Sequence, residues 1–204
     1  LSLVAVGIAL CLLALGPLGW RLGGWHYGVG LYQMLPASGW AAGGVVALSL
    51  ATLVLGRSKL RPAMLSVLAL NFAVGASLVY VPLQYAYTRR TLPSINDIST
   101  DTADPPAFHA LLVARKAELM DRIDVPEPQL SQLQRAGYQD IAPVRTVLPA
   151  RQAFGEALAV AQSMSGWTIA AADADTGRIE ASQRSRWFGF TDDIVIRVTA
   201  TTTS

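Results

Sequence analysis

The chain is 204 residues long, 52% hydrophobic and only 15% charged, whereas an average soluble domain is roughly 25% charged. Its net charge of +2 hides a split: Leu1 to Asn96 carry six Lys or Arg and no acid, giving +6, while Asp97 to Ser204 carry all fourteen acids against ten bases, giving −4. Arg115, Lys116, Arg122, Arg135 and Arg145 are interleaved with acids, which excludes the basic face that nucleic-acid binding requires, and the single Cys11 excludes a disulfide framework or a thiol-rich metal site.

Three runs, about residues 1–20, 38–55 and 62–82, hold no Lys, Arg, Asp, Glu or His. Each reaches the length of about 17 to 25 residues that crosses a hydrocarbon core of roughly 30 Å. Lipid offers no partner to open backbone groups, so the runs predict three spanning helices. The first is too long for a signal-peptide core and lacks a small-x-small cleavage site at Leu15 to Gly19, which predicts that it is retained. A kink or end is expected at Gly16-Pro17, where proline cannot donate. Further residues are expected before Leu1 and after Ser204, which closes a Thr run that reads as strand.

Between the first two spans, Trp20, Trp25, Tyr27, Tyr32 and Trp40 crowd five aromatics into twenty-one residues. Amphipathic rings favour the headgroup level, so Arg21 to Ala37 is expected to lie along the interface as a short surface helix or re-entrant loop. A quinone or pigment contact is the competing reading. In the second span, Gly39, Gly43, Gly44 and Ala47 permit close helix approach, first to another span of this chain and second to a neighbouring subunit. Asn71, the one strongly polar side chain in the spans, is expected in helix packing. Ion and proton pathways use intramembrane charge, which the three runs lack, so a transporter or pump is disfavoured.

Arg57 to Arg61 place three bases in a five-residue loop, and the positive-inside bias puts that loop in the cytoplasm and the acidic half outside it. The chain is expected to leave the membrane from Leu83 through the interfacial Tyr85 and Tyr87. Thr91 to Pro106 are rich in turn formers. A helix is predicted over Phe108 to Ile123, a break over Asp124 to Pro128, and a loop over Gln129 to Leu148. The next helix has Pro149 in its first turn and an apolar stripe of Phe154, Ala157, Leu158, Ala161 and Met164, ending at Gly166. Strands are predicted over 167–172, 178–184 and 194–203, with a hairpin at Asp173 to Gly177 and a second turn from Trp187 to Asp193. The fold class is thus an all-α three-helix transmembrane region, 1–88, followed by an α+β aqueous domain, 89–204, with an antiparallel sheet.

Five phrases occur in order: Ile95-Asn96-Asp97-Ile98-Ser99-Thr100-Asp101; Asp104-Pro105-Pro106 with Phe108 one residue on; Tyr138-Gln139-Asp140-Ile141; Gly177-Arg178-Ile179-Glu180-Ala181; and Trp187-Phe188-Gly189-Phe190-Thr191-Asp192-Asp193. Over about residues 91–204 the chain resembles a bacterial and plastid family known only as domain of unknown function 1499. The resemblance implies an envelope or thylakoid-related protein, often behind membrane spans, with no established reaction. Members of that family continue past the last strand with polar and basic sequence, which implies that this chain is truncated there. The three spans lie outside the resemblance.

Asp97, Asp101 and Asp104 beside Asn96, Ser99 and Thr100 have the composition of a hard-cation site, although capping of local turns is the ordinary use of such residues. Asp173-x-Asp175-x-Gly177 fails as a calcium loop, because position twelve is Arg184. Arg186, Trp187, Phe188 and Phe190 form either a contact loop for a membrane or partner, or rings folded over the sheet as core. His26 and His109 are not expected to pair. No nucleophile, base and metal set can be named, so neither catalysis nor a cofactor is expected.

The resulting expectation is a non-enzymatic integral membrane protein of a bacterial inner membrane with a periplasmic aqueous domain. It would act as an accessory or structural subunit on a larger respiratory, photosynthetic or envelope assembly, through protein–protein contacts or self-association within the lipid bilayer. The alternative is an envelope protein that binds lipid or another hydrophobic ligand between the sheet and helix 149–165.

Overall fold

The computed structural model describes residues 2–56, 60–119 and 128–200. The chain divides into two compact units, Leu1–Thr91 with Trp187–Gly189, and Leu92–Arg186 with Phe190–Ser204.

In the first unit, α1 spans Ser2–Arg21 and α2 Tyr27–Val29. A π-helical turn, Gly30–Met34, leads into α3, Leu35–Gly56, and α4 runs Pro62–Thr91. Three stretches, Val4–Arg21, Tyr27–Gly56 and Pro62–Thr91, are long and apolar enough to cross a membrane. The second and third have 30 residues each, and a helix of that length extends about 45 Å, well beyond a hydrocarbon core of roughly 30 Å. Helix α4 continues through Tyr85, Tyr87, Arg89 and Arg90 and ends at Thr91, where the irregular stretch was expected to begin.

Two expectations are corrected by the same solvent argument. Pro17 lies inside α1 and does not end it, because in lipid a broken helix leaves backbone groups without partners while a kinked one loses a single bond. The stretch 21–37 is not one interfacial connection: its second half, from Tyr27, already belongs to the second long helix. The wide turn at Gly30–Met34, closed by the bond from Leu35 N to Gly30 O, accommodates Pro36. In a regular helix that proline ring would collide with the carbonyl four residues back. Several span hydroxyls return to their own helices, as in Thr52 to Leu48 O at 2.7 Å and Ser77 to Ala73 O at 2.9 Å, while the buried Ser49 hydroxyl makes no such bond.

Helix α3 packs against both α1 and α4. Its buried positions are Leu35, Ser38, Ala42, Val45 and Ser49, a three-and-four spacing that keeps one face inward. Gly39 belongs to this contact, since a Cβ there would lie 2.9 Å from the Pro82 ring. Gly75 of α4 answers it, with Val45 and Val46 3.1 Å from its own added Cβ. Asn71 is buried on the same side of α4. Gly43, Gly44 and Ala47 do not join this packing: Ala47 is exposed and nothing lies within 4 Å of a Cβ at either glycine.

The second unit contains α5, Leu112–Leu119; α6, Gln129–Gly137; α7, Ala150–Ser163; and the strands β1, Trp167–Asp173, β2, Arg178–Arg184, and β3, Thr191–Arg197. The strands form an antiparallel meander in the order β1-β2-β3, with a bulge between Ile169 and Ala171. The first hairpin turns as expected: Asp173 Oδ1 accepts the N–H groups of Asp175 and Thr176 at 3.0 and 3.3 Å. Gly177 follows at φ +64°, a left-handed conformation that glycine adopts without strain. β3 starts at Thr191, three residues before the expected strand, and ends at Arg197.

Register divides the sheet into two faces. Ile169, Ala181 and Ile194 align across it, as do Ile179 and Ile196. The other face carries Glu180 opposite Val195, Arg178 opposite Arg197 and Ser182 opposite Asp193. Helix α7 lies on β1 and β2 and buries Phe154 and Ala161, which join Ile179 and Ala181 in the core.

Two helix expectations change here. α5 begins at Leu112 instead of Phe108, and the rest of the expected helix, to Ile123, runs beyond Leu119 outside the described residues. Gln129–Gly137 is helix, not loop. Its fully buried residues are Ser131 and Gln134, with Leu130 and Leu133 half-buried at helical spacing beside them.

Replacing Gly39 or Gly75 with Val should lower the unfolding free energy of the detergent-solubilised chain by about 1–3 kcal/mol, the usual cost of overpacking. Gly43→Val should leave it unchanged. Thermal unfolding compares them, and a Gly43 variant as damaged as the Gly39 variant would contradict this packing face.

Candidate functional site

The polar face of the sheet carries the densest chemistry in the molecule, centred on Glu180 of the middle strand. This side chain is 1% exposed. Its Oε1 accepts the backbone N–H groups of His109 at 2.7 Å and Ala110 at 3.1 Å, and its Oε2 accepts that of Leu111 at 2.9 Å. These three amides immediately precede α5, where helical backbone leaves donors without intrahelical partners. The carboxylate gathers these donors from across the fold, just ahead of the first turn of α5. Burial pushes the Glu180 pKa up, but the bonds from Leu111, His109 and Ala110, with the nearby Arg178 charge, together outweigh it and hold the group below its ordinary value. Arg178 Nη1 lies 2.7 Å from His109 Nδ1, beside the same segment. A carboxylate held this way works as a latch, its accepting capacity largely spent on backbone.

Arginines clip the preceding segment to the same face. Arg197 bonds Asp104 Oδ2 at 2.9 Å and the Asp104 carbonyl at 2.5 Å, and lies 3.4 Å from Asp101 Oδ2. Arg115 bonds Asp97 at 2.8 Å, approaches Asp193 at 3.6 Å and stacks its guanidinium 4.1 Å from the centroid of the Phe108 ring. The other oxygen of Asp101 accepts Ala103 N and Asp104 N at 3.1 and 3.0 Å. Gln134 of α6 pairs with both backbone groups of Ser99, accepting its N–H at 3.0 Å and donating to its carbonyl. Ser131 donates to Thr102 O at 3.0 Å. The three acids weighed as cation ligands are thus each joined to a guanidinium. Among the described residues no group of three or more His, Cys, Asp or Glu is arranged to hold a metal ion.

The interfacial aromatics form contacts with one another instead of a simple outward belt. Trp20 meets Tyr27 edge to face at 5.6 Å and His26 at 6.0 Å. Trp25 donates its indole N–H to Gly16 O at 3.2 Å. Arg89 lies over Tyr32 and Tyr85, 4.9 and 5.8 Å from their centroids. Trp40, 84% exposed, and Tyr87 face outward. Of the expected contact loop, Trp187 and Phe188 group with the helical unit; Phe188 is buried and Trp187 half-exposed. Phe190 belongs to the sheet unit, where its N–H donates to Ser185 Oγ at 2.9 Å. His26 accepts Gly28 N at 3.2 Å, while His109 meets Arg178.

Glu180, Gln134, Arg115 and Arg197 are the residues that sequence reasoning passed over. Glu180 left one signal, an acid between Ile179 and Ala181 at the middle of a central strand, where charge is seldom buried without partners.

Residues 97–203 match a family described as protein of unknown function (DUF1499). That is more than half of the chain, and the chain belongs to this family. No curated protein and no solved structure matches it.

Glu180→Gln should destabilise the protein by about 2–3 kcal/mol, since the amide presents an N–H₂ group to a backbone donor and removes a charged acceptor. A carboxyl group with a depressed folded pKa stabilises above its unfolded value of 4.5 and loses that contribution as pH falls through the folded value. The gap between wild type and the Gln variant, measured by chemical denaturation, should therefore narrow below about pH 4.5; a gap independent of pH would refute the charged latch. Arg197→Gln should cost about 1 kcal/mol, as expected for a partly exposed pair, and millimolar calcium should leave the melting temperature of the wild type unchanged. A calcium-dependent rise would restore the cation reading of Asp97, Asp101 and Asp104.

Proposed function

We propose that this protein is a non-enzymatic membrane-embedded accessory subunit of a bacterial inner membrane, with its second unit in the periplasm and its helices docked laterally on a larger assembly or on a second copy. The observation that carries this reading is the unused face of α3. Nothing lies within 4 Å of a Cβ at Gly43 or Gly44, and Ala47 and Trp40 on the same helix are exposed. Small residues in lipid favour close backbone approach between helices, and the intramolecular contact is already met by the opposite set, Ser38, Ala42, Val45 and Ser49.

Two features support the same role. The runs 1–20, 38–55 and 62–82 carry no Asp, Glu, Lys, Arg or His, which speaks against conduction of ions or protons. In the sheet unit Glu180 and Arg197 are engaged in holding backbone groups of the preceding segment, a use that favours a structural role for them.

Mildly solubilised membranes run on a native gel should show the chain in a band well above monomer size. Gly43→Leu with Gly44→Leu should shift it to monomer while leaving its thermal unfolding unchanged. A wild-type chain found only as monomer would overturn the proposal.

A further inference from the structure

Within the helical unit lies an apolar cavity of about 180 Å³, bordered by Leu12, Leu13 and Pro17 of α1, Leu31 of the π-helical turn, and Val81 and Tyr85 of α4. It exceeds the roughly 150 Å³ of an apolar cavity that stays dry yet admits a benzene ring, and so accommodates a stretch of hydrocarbon several carbons long. It is too small for a partner helix, whose diameter with side chains is about 10 Å or more. One turn along α4 from Tyr85 is Arg89, its guanidinium resting on the rings of Tyr32 and Tyr85 at 4.9 and 5.8 Å.

Leu1 to Asn96 contain no carboxylate, so the helical unit supplies no acid for this cation. One Arg89 donor already bonds the Tyr85 side chain; ring faces attract a cation electrostatically without occupying its remaining N–H donors, so the guanidinium can still bond a phosphate. Hydrocarbon space and a cation without a carboxylate in its own unit, one turn apart near the end of a membrane-length helix, match one chemistry.

We propose that this is a binding site for an anionic phospholipid, with the phosphodiester on Arg89 and the upper methylenes of one acyl chain in the cavity. A neutral apolar ligand would leave Arg89 unused, and a zwitterionic lipid would bring a second cation beside it. Basic pockets between membrane helices are an established setting for anionic headgroups.

The test is native mass spectrometry of the full chain released from nanodiscs of equal parts phosphatidylglycerol and phosphatidylcholine. Bound phosphatidylglycerol should exceed phosphatidylcholine. Arg89→Gln should lower its retention about fivefold, the effect of one basic residue near an anionic surface. Arg90→Gln, the same charge change one residue on, should leave retention unchanged. Val81→Trp, which fills the cavity and keeps Arg89, should lower retention as well, so the site is tested even if the Arg89 variant folds poorly. Four outcomes would overturn the site: no preference between the lipids, equal losses in the Arg89 and Arg90 variants, displacement of the lipid by millimolar inorganic phosphate, or a lipid-free dimer of the chain.

Discussion

A single buried carboxylate organises the second unit. Glu180 sits on the middle strand, on the face opposite Ile179 and Ala181, and receives three consecutive backbone N–H groups from residues 109–111. Taking a carboxylate out of water costs several kcal/mol unless charge-assisted bonds replace its hydration, so the segment must be in place whenever the sheet is formed. Around this point the remaining polar contacts fall into order: Arg178 meets His109, Arg197 holds the turn at Asp101 to Asp104, and Arg115 bridges Asp97 and Asp193. The sheet thereby has one face packed with hydrocarbon under α7 and one face latched by ions.

The helical unit obeys the opposite rule, since in hydrocarbon it is the backbone that must be satisfied and charge that must be absent. Pro17 and Pro82 remain inside helices, Pro82 facing the gap left by Gly39. Pro36 follows a wide turn, and the hydroxyls of Ser38, Thr52 and Ser77 fold back on carbonyls of their own helix. Contact in this unit is made by small side chains and shape, with Ser38, Ala42, Val45 and Gly75 where a soluble core would place Leu or Phe.

Legibility followed these two solvents. The spans, helix 150–163, both hairpins and the antiparallel order were readable because apolar runs, periodicity and turn residues are local signals. The helix at Gln129–Gly137 was passed over although Leu130 and Leu133 stand at helical spacing, since the run is short and its fully buried residues, Ser131 and Gln134, are polar. The packing face of α3 was assigned to the glycines, yet Ser38, Ala42, Val45 and Ser49 carry most of it, because small residues occur on every side of that helix and only the position of α4 distinguishes them. The acids at 97, 101 and 104 were legible as turn formers; the guanidiniums that meet them come from positions up to 96 residues away in the chain, as Arg197 does to Asp101.

By itself the order of residues determined which half is compatible with lipid and which with water, since the placement of every acid after Asn96 is a property of the chain before it folds. It also determined the family, through phrases read in series. Only the tertiary structure decided what those phrases do. Whether Glu180 is an exposed acid or a buried latch depends on three amides about seventy residues earlier, and whether a span glycine is a contact or an open face depends on the helix beside it. Such pairings join distant parts of the chain, and no local pattern encodes them.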